Sequence, residues 1–149
     1  MRFPIHYMTI TTFVKEFEDK EALQEALEYF IPEEEKEEKK IKLEDEIAEI
    51  KDGEDLSILK ITLERRPHSK QVMQQLTKLL GQKQCETVKE QENRVDEKGA
   101  LYIRIDKKAF VEERKAILVD HGECIHFKFM IEAHPKTRER AIEVVKELM

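Results

Sequence analysis

The sequence predicts a two-layer α+β domain, a predominantly antiparallel sheet with helices on one face. Two C-terminal segments alternate with the period of a half-buried strand. Leu101, Ile103 and Ile105 oppose Tyr102, Arg104 and Asp106, while Ile125, Phe127, Phe129, Ile131 and Ala133 oppose Cys124, His126, Lys128, Met130 and Glu132. Three other segments repeat apolar residues at helical spacing, and each stripe needs an apolar surface to cover. A length of 149 residues suits one core, and polar second faces are what antiparallel sheets permit.

The elements follow in order. Ile5 to Val14 is rich in Thr, β-branched and aromatic residues, with Pro4 blocking helix before it, and reads as a strand. Asp19 caps a helix with Ala22, Leu23, Ala26, Leu27 and Phe30 inward, closed by Pro32. Glu33 to Lys40 is a charge run of the kind that forms a solvated turn or loop. Lys39 to Ile50 alternates imperfectly, and Asp52-Gly53 is a hairpin signal before Leu56 to Glu64, whose inward set is Leu59, Ile61 and Leu63. Pro67 ends that pairing and Ser69 caps a helix carrying Val72, Met73, Leu76, Leu79 and Leu80, ended by Gly81. The polar stretch Gln82 to Asn93 continues as a second short helix. After the two alternating strands, Pro135 begins a last helix with Ala141, Ile142, Val145 and Leu148 inward.

Composition narrows function. Charged residues make up 40% of the chain and the net charge is −6, an acidic balance that argues against a nucleic-acid partner when taken whole. The charge is unevenly placed: residues 1–32 carry −3, residues 33–55 carry −7, and residues 56–149 carry +4. The acidic segment 33–55 thus supplies more than the whole net charge. No apolar run approaches the ~18 residues that span a bilayer, and the opening residues lack a signal-peptide h-region, so a cytoplasmic protein is expected. Cys85 and Cys124 are too few for a disulfide framework, and four glycines leave no phosphate-binding loop.

Three constellations could carry chemistry. His121, Cys124 and His126 lie within six residues and Cys124 and His126 share a strand face, but the spacing matches no standard zinc pattern, and no metal or other cofactor is expected. Ser57 and Ser69 have structural explanations and Cys85 has no local activating partner, so no catalytic residues are assigned and the chain is not expected to be an enzyme. Basic residues form the third group. Arg65 and Arg66 sit at a strand-to-helix corner, Arg94, Arg104, Lys107 and Lys108 surround the Tyr102 strand, and Lys136 opens the last helix. Cations of this kind hold phosphates, while exposed strand residues such as Tyr102, His126 and Lys128 suit unpaired bases.

The stretch Arg94-Val95-Asp96-Glu97, the run Leu101 to Phe110 (LYIRIDKKAF), the strand Ala116 to Ile131 and His134-Pro135-Lys136 together resemble the pattern of a small archaeal protein family. The opening IHYMTITTFV followed by a helix is also similar, so the resemblance spans nearly the whole chain. Two departures are Arg66-Pro67-His68-Ser69-Lys70, where the family has a glycine-containing turn, and Lys108, where it tends to have Gln. The resemblance implies a ribosomal protein L5-like fold, RNA as the partner, and association with an exosome or with ribosomal proteins. On this reading Arg94, Arg104, Lys107 and Lys108 clamp phosphates, Arg65, Arg66 and Lys136 add secondary contacts, Asp96 and Asp106 orient those cations, and Tyr102 stacks on a base. The alternative is a protein-interaction module using the open sheet face or residues 33–55, and a homodimer is compatible with either.

Overall fold

The computed structural model describes residues 3–31, 43–49 and 55–149. The charge run at 33–40 and the Asp52-Gly53 turn lie outside the described residues. The elements are β1 (Ile5–Lys15), α1 (Lys20–Glu28), β2 (Leu43–Glu49), β3 (Asp55–Leu63), α2 (Arg66–Glu90), a short 3-10 turn (Glu92–Arg94), β4 (Ala100–Asp106), α3 (Lys107–Glu113), β5 (Cys124–Ile131) and α4 (Arg138–Leu148). The five strands form one sheet in the order β2-β3-β1-β5-β4, and every neighbouring pair is antiparallel. Among the described residues, no helix is long and apolar enough to cross a membrane.

Register aligns the faces across the sheet. Ile10 pairs with Ile61 on one side and Phe127 on the other, and Phe127 pairs with Ile103, so one continuous row of apolar residues is fully buried. The next row on the opposite face is Lys60, Thr11, His126 and Arg104. The helices supply the other half of the core. Leu23, Ala26 and Leu27 of α1, Val72, Met73 and Leu76 of α2, and Ala141, Ile142 and Val145 of α4 are all buried. Phe30 stacks on Phe110 of α3 at 5.1 Å between ring centroids and meets Phe127 edge-on at 5.0 Å, joining α1, α3 and β5 through one aromatic cluster.

Several boundaries differ from expectation. Asp19 does cap α1, accepting from the Ala22 N–H at 3.1 Å. Ser69, expected as a cap, instead lies inside α2 and is buried, its hydroxyl without a partner among the described residues. The cap lies four residues earlier, at Arg65, because Pro67 has the fixed φ and missing N–H that suit a first turn. Gly81, as expected, ends the first helical segment of α2 at the non-helical φ 77° and ψ 168°, a second segment follows it, and the Cys85 thiol reaches back across the kink to the Thr77 carbonyl at 3.6 Å. The last helix starts at Arg138 under a Thr137 cap, not at Pro135. Lys107 to Phe110 open α3, a helix not expected from the sequence: Asp106 ends the strand by accepting the Ala109 N–H at 2.9 Å.

The outer edge of β4 is covered. Asp106 donates its N–H to the Ile117 carbonyl at 2.8 Å and the Val119 N–H reaches the Arg104 carbonyl at 3.0 Å. Gln84 fixes this covering segment from α2, donating to the Ala116 carbonyl and accepting the Leu118 N–H, each at 2.8 Å. Removing the Phe110 ring leaves a cavity at the junction of α1, α3 and β5, so Phe110→Ala is expected to cost about 3–5 kcal/mol in a urea unfolding titration.

Candidate nucleic-acid interface

Strand alternation that buries one face of the sheet lifts the other set of side chains onto a face that no helix among the described residues covers. From β4 inward this face carries Tyr102 and Arg104, then His126 and Lys128 of β5, then Tyr7, Thr9, Thr11 and Phe13 of β1, then Ile58, Lys60 and Thr62 of β3. Phe13 is 52% exposed and Tyr7 37% exposed, large for strand aromatics. Arg104 and Lys128 make no ion pair among the described residues, so basic side chains stand between aromatic rings over the centre of the sheet.

Tyr102 and His126, on neighbouring strands, stack at 5.3 Å with their planes 20° apart. The Tyr102 hydroxyl donates to Asp96 at 2.9 Å, which fixes the outer ring. Burial first, and then that bond, raise the Tyr102 phenol above its ordinary value. Burial, followed by the nearby Arg104 and Lys128 charges, holds the His126 imidazole at about 4. Its Nε2 is buried with no hydrogen-bond partner among the described residues, so nothing there compensates a proton. The ring is therefore neutral at neutral pH.

At the rim of β4, Gln91, Asn93, Arg94, Tyr102, Arg104 and Asp120 line a cavity of about 280 Å³. Arg94 is only 6% exposed, and its partner Asp120, 3.3 Å away, is 82% exposed. Burial lowers the Arg94 pKa, Asp120 opposes that shift, and Arg104 adds to it. Arg94 thus pairs with the one solvent-facing carboxylate, while Arg104 lines the same cavity without an ion pair among the described residues, an arrangement with positive charge in excess for an oxyanion.

The remaining sequence-identified residues are distributed elsewhere. Lys107 is 5% exposed, and its ammonium donates to Glu18 at 2.9 Å and to the Phe13 carbonyl at 3.0 Å, so it is not free to clamp a phosphate. Its position as the first residue of α3 turns it under the sheet end. Lys108 is exposed beside a 230 Å³ hollow whose wall includes Glu18, Asp19, Glu112 and Glu123, an acidic surrounding. Arg66 is tied to the Phe3 carbonyl at 3.0 Å and to Glu132, while Arg65 and Lys136 are exposed. Asp96 and Asp106, expected to orient cations, accept from backbone amides. Asp96 bonds Lys98 N–H and Ala100 N–H at 2.9 Å, and these bonds with the Tyr102 hydroxyl outweigh burial and hold its carboxyl below the usual range.

Chemistry of the other candidates is limited by geometry. Cys124 and His126 share the open face of β5 with Arg104 of β4 opposite His126, His121 is exposed in the preceding turn, and burial raises the Cys124 thiol. Among the described residues no three His, Cys, Asp or Glu side chains converge for a metal ion. Sequence reasoning missed Tyr7 and Phe13, whose signal was the Tyr7-Thr9-Thr11-Phe13 alternation within β1, and Lys60, whose signal was its place on the face opposite Leu59 and Ile61 in β3.

Two measurements check these placements. Lys107→Ala leaves Glu18 without its buried partner and is expected to lower stability by about 3 kcal/mol, whereas Lys108→Ala should change it by less than about 0.5 kcal/mol. His126 has a folded pKa near 4, below the ordinary ~6.5, so the folded state binds fewer protons. Its contribution to stability is complete above pH ~6.5 and lost progressively as pH falls toward 4. His126→Phe should flatten the urea-midpoint profile between pH 6.5 and 5, and a variant profile parallel to wild type would contradict the assignment.

Comparison with known proteins identifies the family. The chain is 32% identical over 145 residues to RNA-binding protein PAB1135 of Pyrococcus abyssi, covering 95% of this chain and 92% of that protein. It superposes on Mth689, a DUF54 protein of Methanothermobacter thermautotrophicus, with a TM-score of 0.79 at 31% identity and 98% coverage of each chain. AF2318 of Archaeoglobus fulgidus, also of DUF54, gives 0.82 at 28% identity over 97% of this chain and 99% of that one. The family model described as RNA binding matches residues 7–131, from the first open-face aromatic of β1 to the end of β5, and the chain belongs to that family.

Proposed function

We propose that the protein binds single-stranded or locally unpaired RNA across the open face of its sheet, without catalysing a reaction. The observation that carries this reading is the alternation of cations and aromatic rings on the uncovered face: Arg104, Lys128 and Lys60 among Tyr102, His126, Tyr7 and Phe13. Phosphates sit on the cations and on the Arg94–Arg104 pair at the rim, while unstacked bases lie on the rings. Arg65 and Lys136 add peripheral charge, and Arg66 holds the sheet end. The family match and the relative named as an RNA-binding protein support RNA as the ligand. By resemblance the domain is ribosomal protein L5-like and works in the cytoplasm as an accessory to RNA processing, at an exosome or beside ribosomal proteins.

The test is binding of a short single-stranded RNA against salt. Wild-type affinity should fall as salt rises, and Arg104→Ala, which leaves one phosphate without its cation, should reduce the log-log slope by about 0.7. Tyr102→Ala should weaken binding by about 1–3 kcal/mol with the slope retained, and Tyr102→Phe, which keeps the ring, should restore it. Absence of binding to any RNA at low salt overturns the function, and an unchanged slope in Arg104→Ala overturns the site. The first outcome would favour the protein-interaction reading, for which the exposed Phe13 beside Ile58 supplies an apolar contact on the same face.

A further inference from the structure

A cavity of about 780 Å³ opens where the start of β1 meets the end of β5. Its lining includes Tyr7 and Met130, cross-strand partners that also belong to the open face, so the cavity floor continues the RNA-facing surface. Two loops wall it, one contributing Glu97, Lys98 and Gly99 and the other His134, Lys136 and Thr137. We propose that this cavity holds one unpaired nucleotide of the bound RNA strand, an inference that rests on the open-face reading above.

The chemistry of the walls fits a nucleotide. Tyr7 and Met130 offer an aromatic ring and a polarisable thioether to a base face. Lys98 and Lys136, exposed and on different loops, bring cations toward a phosphate. The inner carboxylate, Glu132, is engaged by Arg66, with His134 Nε2 3.4 Å from its other oxygen, so its charge is countered before any ligand arrives. The volume lies within the ~300–1,000 Å³ range of small-ligand sites.

The walls are also held in place. Asp96 accepts the N–H groups of Lys98 and Ala100, the Ile131 N–H reaches the Gly99 carbonyl at 3.1 Å, and the Glu132 N–H reaches the Pro4 carbonyl at 2.9 Å. Gly99 turns the loop at φ 88°, a left-handed conformation that a side chain would strain. A preformed cavity loses less ordering entropy on binding than a mobile one. Tyr102 connects the two parts of the surface: its ring stacks on His126 and its hydroxyl holds Asp96, the residue that braces the Lys98 loop. Along the strands, the Arg104–His126 pair lies four residues from the Ala100–Met130 pair, ~13 Å, so a strand held on Arg104 and Lys128 reaches the cavity within its following nucleotides.

Isotope-labelled protein is titrated with uridine and adenosine 5′-monophosphate, inorganic phosphate, and a single-stranded octauridylate, with backbone amide shifts as readout. The expected result is that the monophosphates and the octamer shift the amides of residues 97–99, 132–134, 136 and 137 alike, while inorganic phosphate at equal concentration does not. Lys136→Glu should abolish the monophosphate shifts, Tyr7→Ala should weaken the octamer about tenfold, and Arg104→Ala should leave the monophosphate shifts unchanged. Octamer binding that leaves these amides unmoved overturns the cavity as an RNA subsite while the open-face reading stands. Phosphate alone reproducing the shifts reduces the site to an anion site and overturns the proposal. Monophosphate shifts with no octamer binding overturn the open-face reading and, with it, the assignment of the cavity to RNA.

Discussion

Strand register is the constraint on which everything else here depends. Side chains alternate with period two, so a slip of one residue in the β1–β5 pairing would exchange Phe127 and Phe129 for His126 and Lys128 against the helices. That exchange would bury two polar side chains and expose two fully buried rings. The large energetic difference between the two registers fixes the pairing, and with it the composition of the uncovered face. The cations and rings proposed to meet RNA are therefore the obligatory complement of the core residues. Folding and recognition use the two faces of the same strands.

Most of the fold was legible because its strands and helices carry clean periods. β4 and β5 alternate without a break, and α1 and α4 keep their apolar spacing beneath side-chain caps at Asp19 and Thr137. The misreadings share one cause: a local signal was outweighed by a neighbour. Ser69 is a good cap in isolation, but Pro67 suits a helix start more strongly, so the helix overruns the serine. Gly81, by contrast, interrupts the helix where its sequence signal places the stop, and the second helix after it packs through buried Cys85 and Val88. Lys107 and Lys108 follow a strand, but the Asp106 cap turns the chain into α3.

The candidate surface was less legible than the fold. Arg94, Tyr102 and Arg104 come together at the β4 rim, but Lys107, near them in sequence, is directed into a buried ion pair by the change from strand to helix at Asp106. Proximity along the chain does not survive such a change of period. The contribution of β1 depends on strand order, which places it between β3 and β5, and no local pattern specifies that neighbourhood. Charge followed the same logic. The acidic excess is concentrated in residues 33–55, whose β2 strand places Glu44 opposite Lys60 at one edge of the sheet, while Arg104 and Lys128 lie on β4 and β5 at the other. Net charge is a property of the sum, and a flexible polyanion senses the field over the face it touches.

The neutral His126 ring has a thermodynamic consequence for any ligand of this face. Arginine and lysine contacts release counterions and weaken as salt accumulates, but an uncharged Tyr102–His126 stack releases none. Its contribution persists when the electrostatic part has been screened away, and it sets the residual affinity on extrapolation to high salt. Because the imidazole remains unprotonated down to about pH 4, that residual is also insensitive to acidity across the neutral range. For RNA bound as proposed, the sheet separates the binding energy into an ionic part that follows the solvent and a stacking part that does not.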